Sequence, residues 1–189
     1  MLFNQRKLPK KYLEEAYSIA SEPTLIACFF MLCKKRPDEK IVYWKDKEGN
    51  FSNSLSNYEA LNYSFQISKK LNSNSPKVGI ISSNNPFLYP VELAIFLKKG
   101  ISVSIYETDP AETVSSKLRI SQADTLVCDE KSFKKIKNID FKKDLNVKQI
   151  ILLESCDLPE GFEDKNEIII EEVWPGKLNI KEPLEEEKI

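Results

Sequence analysis

The sequence predicts an α/β fold: a mostly parallel sheet with flanking crossover helices, preceded by N-terminal helices and a β-hairpin. Four short runs of β-branched and apolar residues follow one another at 77–82, 101–106, 124–129 and 149–154. Between them lie three segments of helical composition, at 87–99, 110–121 and 131–143. Strands that alternate with helices indicate βαβ units, in which the strands run parallel and the helices cover the sheet.

The N-terminal part of the chain predicts three helices. They lie at 10–21, 24–35 and 57–71. Thr24 is the first residue of the second segment and Ser56 directly precedes the third, and a hydroxyl at these positions can cap the first turn. The first segment has its apolar residues at helical spacing, at Leu13, Ala16, Tyr17 and Ala20.

A β-hairpin is predicted between the second and third helices. Its strands, KIVYW (40–44) and FSNSLS (51–56), flank a turn that contains Gly49. The stretch NSNSP (72–76) then breaks the pattern and predicts a loop. We therefore divide the chain into residues 1–76, with the helices and the hairpin packed on the same domain, and the βαβ portion 77–189.

Two residues delimit the helix predicted at 87–99. Pro90 falls in its first turn, where the missing N–H of proline has no cost. Gly100 follows the helix and is predicted to be its left-handed C′ residue, which lets the chain turn into the next strand.

Composition excludes several functions. The 189 residues include 28 basic and 29 acidic side chains, a net charge of −1, which predicts no nucleic-acid partner. Lys-Lys doublets such as 134–135 are spread along the chain and are interpreted as solvated surface. The longest apolar run, 25–33, is too short to span a bilayer, so no transmembrane segment is predicted.

The cysteines and the absence of histidine limit the chemistry further. The four cysteines form no C-x-x-C pair and no signal peptide is recognisable, which predicts free thiols and a cytoplasmic location. The sequence contains no histidine, so it can hold neither a Ser-His or Cys-His pair nor a histidine-ligated metal.

Polar residues collect at the predicted carboxyl ends of the strands, where ligands bind in open parallel sheets. Among them, Asn84, Tyr106 and Thr108 are the candidate pocket rim. Two further side chains nearby have structural interpretations that compete with a site. Asp109 can start a turn, and Glu112 can complement a helix N-terminus. Asn84 can likewise stabilise the turn before its helix, so both interpretations of it stay open.

No phosphate-binding loop can be written from this sequence. Its five glycines are too far apart for G-x-G-x-x-G or for G-x-x-x-x-G-K-[ST]. We therefore assign no catalytic, cofactor-binding or metal-binding residue and predict no cofactor for this chain alone.

The order of these elements resembles the N-terminal region of an AMP-forming acyl-CoA synthetase, of the adenylate-forming superfamily. LSNYEAL (55–61) is similar to a family segment written Thr-Tyr-x-Glu-Leu. The stretch 78–112 resembles a strand that leads into Asn-x-Pro-Glu, an Ala-rich helix, a Gly and a strand that closes on Tyr-x-Thr. SQADTLVCDE (121–130) is similar to the strand that follows. Ile-Ser-Val and Ile-Tyr-x-Thr favour the long-chain fatty-acid branch.

The resemblance implies a ligase that uses ATP, Mg and CoA on a fatty acid. It departs from the family at Phe87, where the family often has Glu. The family's ATP-phosphate loop, adenine motif and C-terminal lid have no counterpart here, so we expect the chain to stop before that loop and to be inactive alone. The implied partner is the missing C-terminal part of the synthetase or another protein chain.

The sequence leaves two other functions open. The chain could be a non-catalytic binding or scaffolding module that kept the fold and lost the chemistry. A free-standing flavodoxin-like nucleotide binder fits less well, because its phosphate loop is also missing.

Overall fold

The computed structural model describes residues 24–46, 48–142 and 145–174. The helices are α1 (Leu25–Lys35), α2 (Asn57–Lys70), α3 (Leu88–Leu97), α4 (Ala111–Ser121), α5 (Glu130–Ile136) and α6 (Phe162–Asn166). The strands are β1 (Lys40–Trp44), β2 (Asn53–Ser56), β3 (Lys77–Ile81), β4 (Ile101–Ile105), β5 (Thr125–Cys128), β6 (Gln149–Leu152) and β7 (Ile169–Glu172). The helix predicted at 10–21 lies outside the described residues.

Strands β3 to β7 form one parallel sheet in the order β4-β3-β5-β6-β7. The antiparallel hairpin β1–β2 precedes it, and Gly49 takes a φ of 87° in its turn. The predicted fold class is thereby confirmed, including the parallel pairing of β3 with β4.

Each face of the sheet is covered by a separate apolar cluster. Val78 and Ile80 face a cluster that contains α2 and α3 residues, whereas Ile81 faces the cluster of α4 and α5. Every residue of β5 and β6 is buried. Strands covered on both faces have apolar side chains at successive positions. The sequences of these strands are therefore mostly continuous apolar runs and do not alternate between apolar and polar residues.

The cluster on the α2 side joins residues from both parts of the chain. Tyr63 of α2 packs edge-on against Phe87 with ring centroids 5.2 Å apart, and Trp44 of β1 lies 6.4 Å from the same ring. Phe87 is the position at which the family resemblance expects Glu. Here it fills the core.

Helix α2 begins with a capping box. The Ser56 hydroxyl accepts a hydrogen bond from the Glu59 amide at 3.2 Å, and the Glu59 carboxylate accepts one from the Ser56 amide at 2.7 Å. Thr24 caps α1 in the same sense, because its hydroxyl accepts from the Ala27 amide at 3.2 Å. Both predicted caps are confirmed.

Helix α5 is shorter than the predicted segment 131–143, since it ends at Ile136. A continued helix would turn Phe141 roughly 80° away from Phe133 around the helix axis. The chain instead leaves the helix, and Phe141 becomes buried against Phe162 at a centroid distance of 6.2 Å. Burial of one aromatic ring therefore overrides the local helical composition.

The prediction for Gly100 is wrong. Lys99, with a φ of 55°, is the left-handed residue after α3, and the Gly100 amide closes the turn on the Ile95 carbonyl at 2.8 Å. Gly100 is required for another reason. A Cβ built on it would lie 2.6 Å from the Pro76 carbonyl oxygen, so only glycine permits this close backbone approach.

Candidate functional site at the carboxyl rim

The parallel sheet gathers polar residues at one edge, which we call the carboxyl rim. It comprises Ser82 to Asn84, Tyr106 to Asp109, Asp129 and Glu154, which follow β3, β4, β5 and β6. Since β3 pairs with β4 in parallel, Asn84 and Tyr106 follow neighbouring strands at the same edge. The common edge expected from the sequence is therefore present.

Asp129 connects three elements of the rim. One of its carboxylate oxygens accepts hydrogen bonds from the Ser82 hydroxyl at 3.0 Å and from the Ser83 amide and hydroxyl at 2.8 and 2.7 Å. The other accepts from the Ser132 amide at 2.8 Å and so caps α5. This single side chain thereby ties the end of β3 to the end of β5 and to the start of α5.

The environment of Asp129 keeps it ionised. Burial, the largest single influence, would raise the pKa of this carboxyl, but the hydrogen bonds from Ser83 and Ser132 together outweigh it and lower the pKa to about 2. A carboxylate whose oxygens are occupied and whose pKa is this low is a poor general base at neutral pH. Its role in the rim is structural.

The loop between β4 and α4 is held by two lysines. The Asp109 carboxylate accepts hydrogen bonds from the Tyr106 amide at 3.2 Å and from the Lys117 ammonium at 2.5 Å. The hydrogen bond from Lys117 is the main reason that the pKa of Asp109 is lowered. Lys135 of α5 donates to the backbone carbonyls of Glu107 and Asp109. The structural interpretation of Asp109 agrees with these contacts.

Sequence reasoning missed both lysines. The doublet 134–135 is interpreted above as solvated surface, and that interpretation is wrong for Lys135, which is half-buried and donates across the rim. The Lys117 ammonium also lies 5.0 Å from the ring centroid of Tyr106, a cation–π distance. No local pattern identifies the Lys135 contact, because α5 reaches this loop only through the sheet topology.

Glu107 is the least satisfied polar group of the rim. Its Oε2 atom is buried and accepts no hydrogen bond from the described residues, while Oε1 lies 3.6 Å from the Lys131 ammonium. A buried acceptor without a donor is destabilising.

The three candidate rim residues all point to solvent. Tyr106 is 73% exposed, and Asn84 and Thr108 are exposed as well. The turn before α3 is stabilised by Asn85, whose side-chain oxygen accepts from the Phe87 amide at 2.9 Å. Among the described residues the Asn84 side chain takes part in none of the hydrogen bonds seen, so it is available for contact with something else.

The described residues also form a cavity away from the carboxyl rim. A cavity of about 400 Å³ lies at the opposite, amino edge of the sheet, between Lys77, Gln122 and Asp124. Within the described ranges, no three His, Cys, Asp or Glu side chains are grouped to hold a metal ion. No helix in the same ranges is both long and apolar enough to cross a membrane.

Comparison by sequence finds no relative. No family model matches this chain. No curated protein matches it either.

Comparison by structure finds many solved chains of similar fold. The A domain of a carboxylic acid reductase from Segniliparus rugosus, in complex with AMP and a co-purified carboxylic acid, matches with a TM-score of 0.64 over 87% of this chain, at 10% identity. The anthranilate CoA ligase AuaEII with anthranoyl-AMP gives 0.64 over 80%, at 15% identity. The coronafacic acid ligase from Pectobacterium brasiliense gives 0.59 over 77%, at 15% identity.

These likenesses establish the fold. The described elements have the same α/β fold as the matched parts of these three enzymes. The matches cover 31%, 29% and 28% of those three chains, so this chain spans less than a third of the length of the proteins it resembles.

Proposed function

We propose that this chain forms part of an AMP-forming acyl-CoA synthetase and has no ligase activity by itself. In the complete reaction a fatty-acid carboxylate attacks the α-phosphorus of ATP and releases pyrophosphate. The thiol of coenzyme A then attacks the acyl carbon and releases AMP. The observation that carries the proposal is the five-stranded parallel sheet, whose fold is shared with enzymes solved with AMP or an acyl-AMP.

The described residues do not fit ATP and Mg²⁺ by themselves. The chain has no glycine-rich loop for phosphates. The rim carboxylates Asp109 and Asp129 already accept hydrogen bonds from neighbouring residues of the rim. We therefore assign no step of the reaction to a residue of this chain.

The role we assign to this chain is to supply a wall of the acyl and nucleotide site. Asn84, Tyr106 and Thr108 are exposed along one edge, and the buried Oε2 of Glu107 still lacks a donor among the described residues. Both features are consistent with a surface that another part of the protein, or another chain, completes. The choice of a fatty acid rests on the sequence pattern of residues 101–108.

The purified 189-residue chain is expected to give no acid-dependent exchange between ATP and pyrophosphate, because it lacks the groups that hold the phosphates. The assay contains Mg²⁺ and saturated fatty acids of several lengths, with anthranilate as the aromatic comparison. Exchange by this chain alone would disprove the predicted inactivity.

The same assay is then applied to the product of a coding region that joins residues 1–189 to an encoded Ser/Thr/Gly-rich loop. If no carboxylic acid supports exchange there, the ligase assignment is wrong; if only anthranilate does, the fatty-acid assignment is wrong.

In that larger protein, Tyr106→Ala is expected to lower kcat/KM for the fatty acid roughly tenfold, as expected for one lost contact of about 1.4 kcal/mol. Tyr43→Ala is the matched control, because Tyr43 is also an exposed tyrosine and lies on the hairpin, outside the rim. Steady-state kinetics over a series of acid concentrations measure both. Equal effects of the two substitutions would remove Tyr106 from the site.

A further inference from the structure

Strand β4 forms one edge of the five-stranded sheet, and its outer side pairs with no strand among the described residues. The Ile101 amide donates to the Pro76 carbonyl at 2.8 Å, so the backbone N–H and C=O of residue 101 point inward, towards β3. Because these groups alternate in direction along a strand, those of Ser102 and Ser104 point outward. The edge therefore offers two N–H and two C=O groups for pairing.

Strand β4 carries none of the usual devices that protect a sheet edge. Proteins guard exposed edges with charged side chains, with proline or with a β-bulge. The strand ISVSI contains neither a charge nor a proline, and its register with β3 is regular from Ile101 to Ile105. The side chain of Ile101 is 56% exposed. An edge of this kind is suited to the addition of another strand.

We propose that β4 pairs in antiparallel orientation with β4 of a second copy of this chain, about a two-fold axis at Val103. In this register Ser102 of each copy lies opposite Ser104 of the other, so all four outward groups of each copy form hydrogen bonds. An axis at Ser102 would instead place the Ser104 carbonyl opposite the Gly100 amide. That amide already donates to the Ile95 carbonyl at 2.8 Å. The outward groups therefore favour the axis at Val103.

The apolar side chains of the edge fit the same register. Ile101, Val103 and Ile105 share the α4 face of the strand, since Ile105 belongs to the cluster of α4 and α5. In the proposed pair Val103 lies beside Val103 of the second copy, and Ile101 lies beside Ile105. These are non-hydrogen-bonded pairs, in which the side chains of an antiparallel ladder approach most closely. The pairing thereby covers the exposed side chain of Ile101.

Opposite charges meet at both ends of the paired strands. The axis at Val103 brings Lys99 of each copy opposite Glu107 of the other. Lys99 is exposed. Glu107 is only weakly paired within its own copy, because Oε1 lies 3.6 Å from the Lys131 ammonium and Oε2 accepts no hydrogen bond from the described residues. Two-fold symmetry produces this charge pair twice, which favours a second copy over an unrelated strand as the partner.

Sedimentation velocity on the 189-residue chain tests the proposal. A short strand buries less surface than a standard interface, so a monomer–dimer equilibrium with a dissociation constant on the order of 10 µM is expected. Ser104→Pro removes an outward N–H without touching the ladder to β3 and is expected to raise this constant roughly tenfold or more. Ser104→Thr keeps the N–H and is the matched control, with association like that of the native chain. A native chain that stays monomeric at about 500 µM, or a dimer that Ser104→Pro does not weaken, would overturn the proposal.

A mixing experiment does not depend on the proline variant folding. Lys99→Glu and Glu107→Lys each turn both opposite-charge pairs into like-charge pairs, so each is expected to weaken its own dimer roughly tenfold. A mixture of the two variants restores opposite charges at both ends of the mixed dimer and is expected to associate as the native chain does. High salt should reduce the difference, because the charges are near the surface. If the mixture associates no better than either variant alone, or if each variant alone associates like the native chain, the proposed pairing is wrong.

Discussion

Asp129→Asn is expected to lower the free energy of unfolding by about 3 kcal/mol. Hydrogen bonds to a buried carboxylate contribute more to stability than hydrogen bonds between neutral groups. The NH₂ group of the asparagine would also face N–H and O–H donors of the neighbouring serines, with which it cannot form a hydrogen bond as a donor. The native side chain is 2% exposed and accepts from Ser82, Ser83 and Ser132. Urea denaturation at pH 7 measures the change. Asp157→Asn, at an exposed aspartate, is the control and is expected to stay within about 0.5 kcal/mol of the native chain.

The same pair of proteins gives a pH test. The folded pKa of Asp129 is lowered to about 2, below its ordinary value of 3.8, so its stabilisation is fully present above pH 4 and is lost as the pH falls. The difference in unfolding free energy between the native chain and Asp129→Asn is expected to shrink by about 2 kcal/mol between pH 5 and pH 2. A difference that does not change with pH would show that the charge of Asp129 contributes nothing.

Gly100→Ala is expected to destabilise the chain by about 3 kcal/mol, which is the upper end of the usual cost of overpacking a core. The cost is high because the atoms that the new methyl group would contact belong to the backbone and to packed side chains, which cannot move aside separately. The added methyl carbon would lie 2.6 Å from the Pro76 carbonyl oxygen and 2.9 Å from a methyl of Ile95, in the turn that leads into β4. Thermal and urea unfolding measure the loss.

Lys99→Gly is the paired variant and is expected to act in the opposite direction. Lys99 holds a φ of 55°, which glycine adopts without the steric cost of a Cβ, so the substitution should stabilise the chain by about 1 kcal/mol. If Gly100→Ala is tolerated while Lys99→Gly destabilises, the left-handed residue after α3 has been assigned to the wrong position.

The carboxyl rim divides into a part that could be predicted and a part that could not. Asn84, Tyr106 and Thr108 could be placed at one edge, because the alternation of strands and helices implies parallel strands with a common carboxyl edge. Lys135, which helps to hold the 106–109 loop, could not be placed there, since a helix and a strand separate it from Asp109. Strand β7 was also missed, because four residues that end in two glutamates are a weak signal in isolation.

The sequence by itself determined the fold class, the succession of β3 to β6 and their helices along the chain, the hairpin turn and the caps at Thr24 and Ser56. Those features depend on side-chain periodicity and on hydrogen bonds within a few residues. Only the tertiary structure decided where α5 ends, why residue 100 must be glycine and which groups donate hydrogen bonds to the rim carboxylates. Each of these depends on atoms brought together from distant segments, Phe141 on Phe162, Gly100 on Pro76 and Asp129 on Ser83, and a local pattern carries no record of such contacts.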